Sequence, residues 1–317
     1  MEQDNTIKTQ NASALSTKFS AWLQLIRLPN LLTVPGDPLA GFTLAYFAGV
    51  YNDRSNVNLQ FCIFTSLLFY CAALLQNDYC DIAKDRETRP NRPLPSGLIN
   101  PRSVVYAALT LFIAGLLTAA LAGMLTFVIA LTMVALISSY NCMTKGNVVI
   151  GAINVGLCRG LSLLLGASAL GTECVSSTPV IVSALGLTCY IASVTTIAAK
   201  ETQTVSLNKK RWLPTIILTC WFTILYFTIG IYNLWSLGAY LVLASISTIW
   251  ALYLTINLTG KVAPKIIQQT VGQLIRNLLL IQAAVISVAG LIGILGAVTL
   301  ILAWPISYML SKRFYAS

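Results

Sequence analysis

The sequence contains no histidine, and only 9% of its 317 residues are charged. Soluble domains carry about 25% charged residues. So few charges cannot cover the surface of a water-soluble globule of this length. Hydrophobic residues make up 56% of the chain, and the mean hydropathy is +0.77. These values indicate an integral membrane protein, and the missing histidines exclude histidine-based acid–base chemistry and histidine metal sites.

The eight cysteines are scattered, and no pair has the C-x-x-C spacing typical of zinc, haem or redox sites. The net charge of +10 comes from basic residues that lie between apolar runs. A nucleic-acid-binding protein would carry a dense basic stripe instead. We therefore expect no nucleic acid partner and interpret the cysteines as small apolar packing residues.

Apolar segments of the length needed to cross a bilayer, about 20 residues, recur along the chain. The sequence predicts an all-α fold, a multi-pass transmembrane helical bundle of nine helices, or ten if the long run 277–311 is broken by Gly290, Gly293 and Gly296. A polar tail, 1–20, precedes a single transmembrane domain, 21–317. The candidate spans lie near 21–49, 59–77, 103–121, 124–141, 148–171, 179–199, 212–231 and 235–257, followed by 277–311.

Lysine and arginine are concentrated in alternate loops, which predicts a cytoplasmic N-terminus by the positive-inside rule. The same alternation makes the C-terminal Lys312 and Arg313 cytoplasmic only if there are ten spans. The membrane is the plasma or inner membrane, or a thylakoid. The basic residues on the predicted cytoplasmic side are Lys8, Lys18, Arg27, Lys84, Arg86, Arg89, Arg92, Arg102, Lys145, Lys209, Lys210, Arg211, Lys261 and Lys265.

Four of the ten acidic residues, Asp78, Asp81, Asp85 and Glu87, fall within ten positions at the end of the second span. On an α-helix Asp81 lies about 60° and Asp85 about 20° from Asp78 around the axis. The three aspartates therefore share one face, where they repel one another unless a cation lies among them.

Carboxylate oxygens suit Mg²⁺, which shares its coordination shell with substrate phosphates. Arg89 and Arg92 follow at once in RPNRPLPSG, and arginine binds phosphate in bidentate fashion. A solvated loop that only sets topology is the alternative, but charge concentrated at a membrane boundary is usually functional. The pattern indicates a metal-bridged diphosphate site at the membrane surface.

The string Asn77-Asp78-x-x-Asp81-x-x-x-Asp85, followed by Arg89-Pro90 and Arg92-Pro93, resembles the first aspartate-rich motif of the UbiA superfamily of intramembrane prenyltransferases. The resemblance covers most of the chain. The opening IRLPNLLTVPGDPLAG is similar to the EboC-like branch. Further positions that resemble family positions are Asn30, Tyr140, Lys145, Asn154 and Arg159.

The resemblance implies a helical bundle around a central cavity, with two aspartate-rich motifs that hold Mg²⁺ and an isoprenyl diphosphate at its cytoplasmic mouth. The second motif differs here, because Glu201 is the only acid in SVTTIAAKETQTVSLNKKR. Either a single metal suffices, with Lys200 and Lys209 or Arg211 neutralising phosphate, or the activity is lost or altered. Glu201 is a metal ligand or half of an ion pair with Lys200.

The function implied is transfer of an isoprenyl group from an allylic diphosphate to a small-molecule acceptor of unknown identity. The alternatives are a non-catalytic carrier of an isoprenoid or other amphiphile, a CDP-alcohol phosphatidyltransferase, whose D-G-x-x-A-R string is absent, and a secondary transporter. The implied catalytic residues are Asp78, Asp81, Asp85, Arg89 and Arg92. The implied metal ligands are Asp78, Asp81, Asp85 and Glu201. The implied substrate-binding residues are Asn30, Asn77, Tyr140, Lys145, Asn154, Arg159 and Lys200.

Overall fold

The computed structural model describes residues 18–47, 55–201, 203–230 and 233–314, and nearly all of them are helical. The predicted tail 1–20 lies almost entirely outside the described residues. Residues 18–25 form α1. The other helices are α2 Leu28–Leu31, α3 Gly36–Phe47, α4 Ser55–Cys80, α5 Ile82–Thr88, α6 Pro101–Ala122, α7 Met124–Ser139, α8 Val148–Ser168, α9 Thr172–Val175, α10 Thr178–Ala198, α11 Leu213–Ile229, α12 Leu234–Ile256, α13 Pro264–Arg276, α14 Leu278–Ile286 and α15 Gly290–Phe314.

In the described part of the chain, eight helical segments are long and apolar enough to cross a membrane. They match the predicted spans from the second to the eighth, together with the end of 277–311. Two interrupted segments add to these eight: the α1–α3 region and the α13–α14 pair. The all-α transmembrane bundle is therefore confirmed, with a helix count that agrees approximately with the nine or ten expected.

The first predicted span, 21–49, is not one continuous helix. Arg27 adopts a left-handed conformation with φ 47°, and α2 begins immediately after it with Pro29 in its first turn. Pro35 then precedes α3, and proline both lacks a backbone donor and disfavours helix in the residue before it. The interruption leaves a short, irregular segment at the end of the bundle that carries Arg27 and Asn30.

The long apolar run 277–311 is also broken, as its glycines predicted. The break falls at Gly290, whose φ of 68° suits glycine far better than any other residue. Gly293 and Gly296 instead lie inside α15, where they do not interrupt the helix. At the other end of the run, α13 and α14 meet at Asn277.

Small residues allow α3 and α8 to pack with their backbones in direct contact. A Cβ at Gly41 would overlap the carbonyl oxygen of Leu163, and a Cβ at Gly166 would overlap that of Pro38. Close approach through small residues is the usual way in which transmembrane helices associate, because lipid offers no hydrophobic driving force between them. The interrupted first segment is thus held firmly against the fifth predicted span.

Two short strands connect loops that are distant in sequence. Strand β1, Val205–Ser206, pairs antiparallel with β2, Lys261–Val262. The loop after α10 and the loop after α12 are therefore neighbours at the same end of the bundle.

Replacing Gly41 with valine should destabilise the protein by about 1–3 kcal/mol, because the added side chain forces α3 and α8 apart. The thermal unfolding midpoint in detergent measures the effect. Gly238→Val is the matched control, since a Cβ at Gly238 has no atom within 4 Å. Equal midpoints for the two variants would contradict the proposed close packing.

Candidate active site at the end of α4

The acidic cluster lies where α4 passes into α5. The helical path is interrupted only at Asp81, and backbone hydrogen bonds continue across it, from Asp81 N to Asn77 O at 3.0 Å and from Asp85 N to Asp81 O at 2.8 Å. Asp78 and Asp85 are both buried, and the charge of Asp85 acts on Asp78. Asp81 is partly exposed. The sequence thus places two carboxylates inside the protein and one at its edge.

Both buried aspartates have an arginine beside them. Arg92 Nη1 donates to Asp85 Oδ2 at 2.8 Å, within a loop that the prolines keep non-helical. Arg27 Nη2 lies 4.0 Å from Asp78 Oδ1, and Arg27 comes from the irregular segment before α2. Because burial of a carboxylate is costly without a counter-charge, these arginines make the two positions tolerable.

Lys145 joins Asn77 and Asp81. Its Nζ donates to Asn77 Oδ1 at 2.7 Å and forms an ion pair with Asp81 Oδ2. Lys145 directly follows a π-helical turn, Tyr140–Thr144, that ends the α7 segment. Such turns are frequent at functional sites because they redirect side chains. The turn aims Lys145 back at the aspartates of α4.

Two residues assigned to substrate binding support this turn. Asn154 is buried on α8 and donates from Nδ2 to Thr144 Oγ1 at 2.9 Å. Tyr140, at the start of the turn, is influenced by the charges of Asp81 and Glu201. Asn154 therefore contacts the structural frame of the site, while Tyr140 lies near the acids of both cytoplasmic loops.

Glu201 pairs with neither of the partners considered from sequence. Its Oε1 lies 3.5 Å from Arg89 Nη2, and its backbone oxygen accepts from Gln268 Nε2 at 3.5 Å. Lys200 is exposed at the end of α10. The expected alternative of a Lys200 pair is wrong, because Arg89 reaches Glu201 from the other loop. This ion pair brings the loops after α4 and α10 together.

The predicted metal ligands do not form one cluster in this structure. Within the described residues, no group of three or more histidine, cysteine or acidic side chains is arranged to hold a metal ion. The reason is that each carboxylate is turned toward its own cation, as the pairs above describe. The chemistry of the donors still fits Mg²⁺: they are hard carboxylate oxygens, and Asp78 and Asp85 lie close enough to interact.

A second buried network was missed by the sequence analysis. Asp37 is fully buried, and its Oδ2 lies 2.8 Å from Arg159 Nε. Gln282 Nε2 donates to Asp37 Oδ1 at 2.6 Å and to the Thr33 carbonyl at 2.8 Å. Arg159 Nη2 also donates to that carbonyl at 3.1 Å. The network connects the first segment to α8 and α14.

The network changes how Arg159 is understood. Predicted as a substrate-binding residue, Arg159 here neutralises Asp37, and its substrate role stays a prediction. Asn30 lies nearby and forms a hydrogen bond with Tyr70, on which the charges of Arg27 and Arg159 act. An acid in an apolar segment was a usable signal for Asp37. Gln282 gave none.

A model of the UbiA prenyltransferase family matches residues 39–278. The chain belongs to that family. A digeranylgeranylglyceryl phosphate synthase of Methanosarcina barkeri is 30% identical over 167 residues, which are 50% of this chain and 58% of the relative. The alignment thus spans little more than half the length of that relative, and the similarity is greatest in the family membership itself.

Solved structures support the same fold. A UbiA homologue from Aeropyrum pernix K1 superposes with a TM-score of 0.62 at 14% identity, covering 84% of this chain and 98% of that one. A UbiA homologue from Archaeoglobus fulgidus, bound to DMAPP and Mg²⁺, gives a TM-score of 0.52 at 16% identity over 85% of this chain and 99% of that one. At these identities the likeness establishes the fold alone.

Replacing Asp37 with alanine should cost about 3–5 kcal/mol of unfolding free energy, because it leaves Arg159 buried without a counter-charge. The double variant Asp37→Ala/Arg159→Leu should recover much of that loss, since an apolar pair of similar volume avoids the unpaired charge. Thermal unfolding in detergent measures both. Glu173→Ala, which removes an exposed carboxylate, is the control. A double variant no more stable than the single one would contradict a dominant charge effect.

Proposed function

We propose that this UbiA family member is a membrane prenyltransferase that moves an isoprenyl group from an allylic diphosphate to a small-molecule acceptor. The observation that carries the proposal is the convergence of Asp78, Asp81 and Asp85 with Arg89, Arg92 and Lys145 at one end of the bundle. Carboxylates for a divalent cation and cations for phosphate oxygens are the two halves of a metal–diphosphate site.

Mg²⁺ would be held by Asp78, Asp81 and Asp85, with Glu201 as a further ligand. When bound, it neutralises phosphate charge and so stabilises the departing diphosphate. A UbiA homologue solved with DMAPP and Mg²⁺ supports this choice of ion and donor class. The carboxylates are then drawn from their present cations, which leaves those cations for the phosphates.

Arg89, Arg92 and Lys145 would donate hydrogen bonds to the diphosphate oxygens. The allylic C–O bond breaks, and its electron pair stays on the diphosphate oxygen, so the positive side chains stabilise the charge that develops there. The acceptor supplies an electron pair to the carbocation and afterwards loses a proton. No histidine is needed as a base, because that proton leaves late.

The apolar helices provide the rest of the environment. The prenyl chain lies among them, where water cannot reach the carbocation, and Asn30, Tyr140 and Asn154 supply the polar groups at the inner side of the site. For the acceptor, a relative that is a digeranylgeranylglyceryl phosphate synthase makes a phosphate-bearing lipid alcohol one class to test, beside aromatic acids, naphthoates and sugar-like alcohols of secondary metabolism.

We infer that the site faces the cytoplasm, with the N-terminus on the same side. The ion pair Arg89–Glu201 and the β1–β2 ribbon support this, since they place the basic loops after α4, α10 and α12 at one end of the bundle. By the positive-inside rule that end is cytoplasmic.

The double variant Asp78→Ala/Asp81→Ala should lower Mg²⁺-dependent diphosphate release by about 10²–10³-fold, the usual cost of removing electrostatic stabilisation of a developing anion. Release from geranyl, farnesyl and geranylgeranyl diphosphates by purified protein, with and without Mg²⁺, measures it. Glu173→Ala should leave release unchanged. If wild-type protein binds a donor but releases no diphosphate, the carrier function replaces this proposal.

Glu201→Gln should raise the Mg²⁺ concentration for half-maximal release several-fold if Glu201 is a ligand. It should change stability by at most about 1 kcal/mol, because the pair with Arg89 is partly exposed. Arg89→Gln is the comparison, since it breaks the same pair and keeps the carboxylate. If both variants have the same Mg²⁺ dependence, Glu201 serves only as the partner of Arg89.

A further inference from the structure

The second half of the chain is positively charged without compensation. Eight lysine and arginine residues follow Glu201, and no aspartate or glutamate does. Five of the eight are in the loops joined by the β1–β2 ribbon: Lys209, Lys210, Arg211, Lys261 and Lys265. In the described part of the chain, no ion pair reaches any of these five, because the nearest acid, Glu201, is taken by Arg89.

These loops enclose a cleft of about 250 Å³, which we call the basic cleft. One wall is the 3₁₀ turn Asn208–Trp212, and the other is the end of the loop after α12. Its volume lies below the range of about 300–1,000 Å³ found for drug-sized ligands, so it suits a headgroup and not a whole lipid. The cleft is lined by Ser206, Asn208, Lys209, Arg211, Trp212, Leu258, Thr259 and Gly260.

Arg211 is held in the wall of the cleft by its neighbour. Its guanidinium carbon lies 4.7 Å from the centre of the Trp212 ring, a cation–π arrangement. Its Nε is buried and has no hydrogen-bond partner within the described structure. A buried donor without a partner is costly, and an oxygen of a bound anion would satisfy it.

The turn that carries these cations is itself specialised. Asn208 adopts a left-handed conformation with φ 45°, and its Oδ1 accepts from Ser206 Oγ at 2.7 Å. The ribbon places Lys261 opposite Ser206. Two basic segments that are about 50 residues apart in the chain are thus fixed beside one cleft.

The position relative to the bilayer indicates where the anion comes from. Trp212 immediately precedes α11, which is part of a segment apolar enough to span a membrane. Tryptophan at the end of a span lies at the level of the lipid headgroups. The basic cleft therefore opens where phosphate groups of membrane amphiphiles are most concentrated.

We propose that the basic cleft binds the phosphate of an anionic membrane amphiphile, with Lys209 and Arg211 as its charged contacts. Positive loops also set topology without binding a particular lipid. The two explanations differ at Arg211: a site that uses its planar, bidentate guanidinium distinguishes arginine from lysine, and a delocalised charge does not.

The test is native mass spectrometry of the full chain in neutral detergent, titrated with phosphatidic acid or with zwitterionic phosphatidylcholine. We expect phosphatidic acid to bind tightly and phosphatidylcholine weakly. Lys209→Gln/Arg211→Gln should weaken phosphatidic acid binding about 30-fold, from about 1 kcal/mol for each basic residue near anionic lipid. Arg211→Lys should weaken it several-fold. Lys84→Gln/Arg102→Gln removes two exposed charges elsewhere and should have little effect.

Three outcomes would overturn the proposal. The first is equal binding of the two lipids, and the second is an Arg211→Lys variant that binds like the wild type. The third is displacement of phosphatidic acid by millimolar inorganic diphosphate at unchanged ionic strength, which would make a free phosphate compound the ligand. Unfolding midpoints of all variants show whether a loss of binding reflects a loss of fold.

Discussion

The cost of placing charge at and within an apolar medium governs this structure. Unpaired charges are rarely tolerated there, so acids and bases must meet. Of the acidic residues that the structure describes, Asp37, Asp78, Asp81, Asp85 and Glu201 are all in ion pairs with basic side chains. These pairs connect segments that are far apart in sequence, and they determine which helices and loops surround the site.

The same constraint links structure to chemistry in the proposed site. A carboxylate that faces a cation is ready to exchange it for a divalent metal, and the released arginine or lysine is ready for a phosphate oxygen. The site is therefore preorganised as a set of neutral pairs. Because Glu201 is the only acid of the second loop in this arrangement, the first aspartate cluster carries most of the negative charge in the site.

Regions away from the proposed site show what happens when compensation is incomplete. The loops after α10 and α12 collect lysine and arginine with no acid in the following sequence, and they lie at the membrane surface rather than inside the bundle. There, water and anionic headgroups can serve as the missing partners. An interior position would have required carboxylates, as Arg159 requires Asp37.

The sequence by itself determined the class and the chemistry. Few charges and repeated apolar runs require a membrane bundle, Gly290 predicts a helix break, and three phased aspartates followed by arginines indicate a metal–diphosphate site. Only the tertiary structure decided the pairing: Arg27 with Asp78, Lys145 with Asp81, Arg89 with Glu201, and the buried Asp37–Arg159–Gln282 network. Local spacing fixes which side chains share a turn of helix, but it cannot specify which distant cation neutralises each carboxylate, because that choice depends on how whole helices pack.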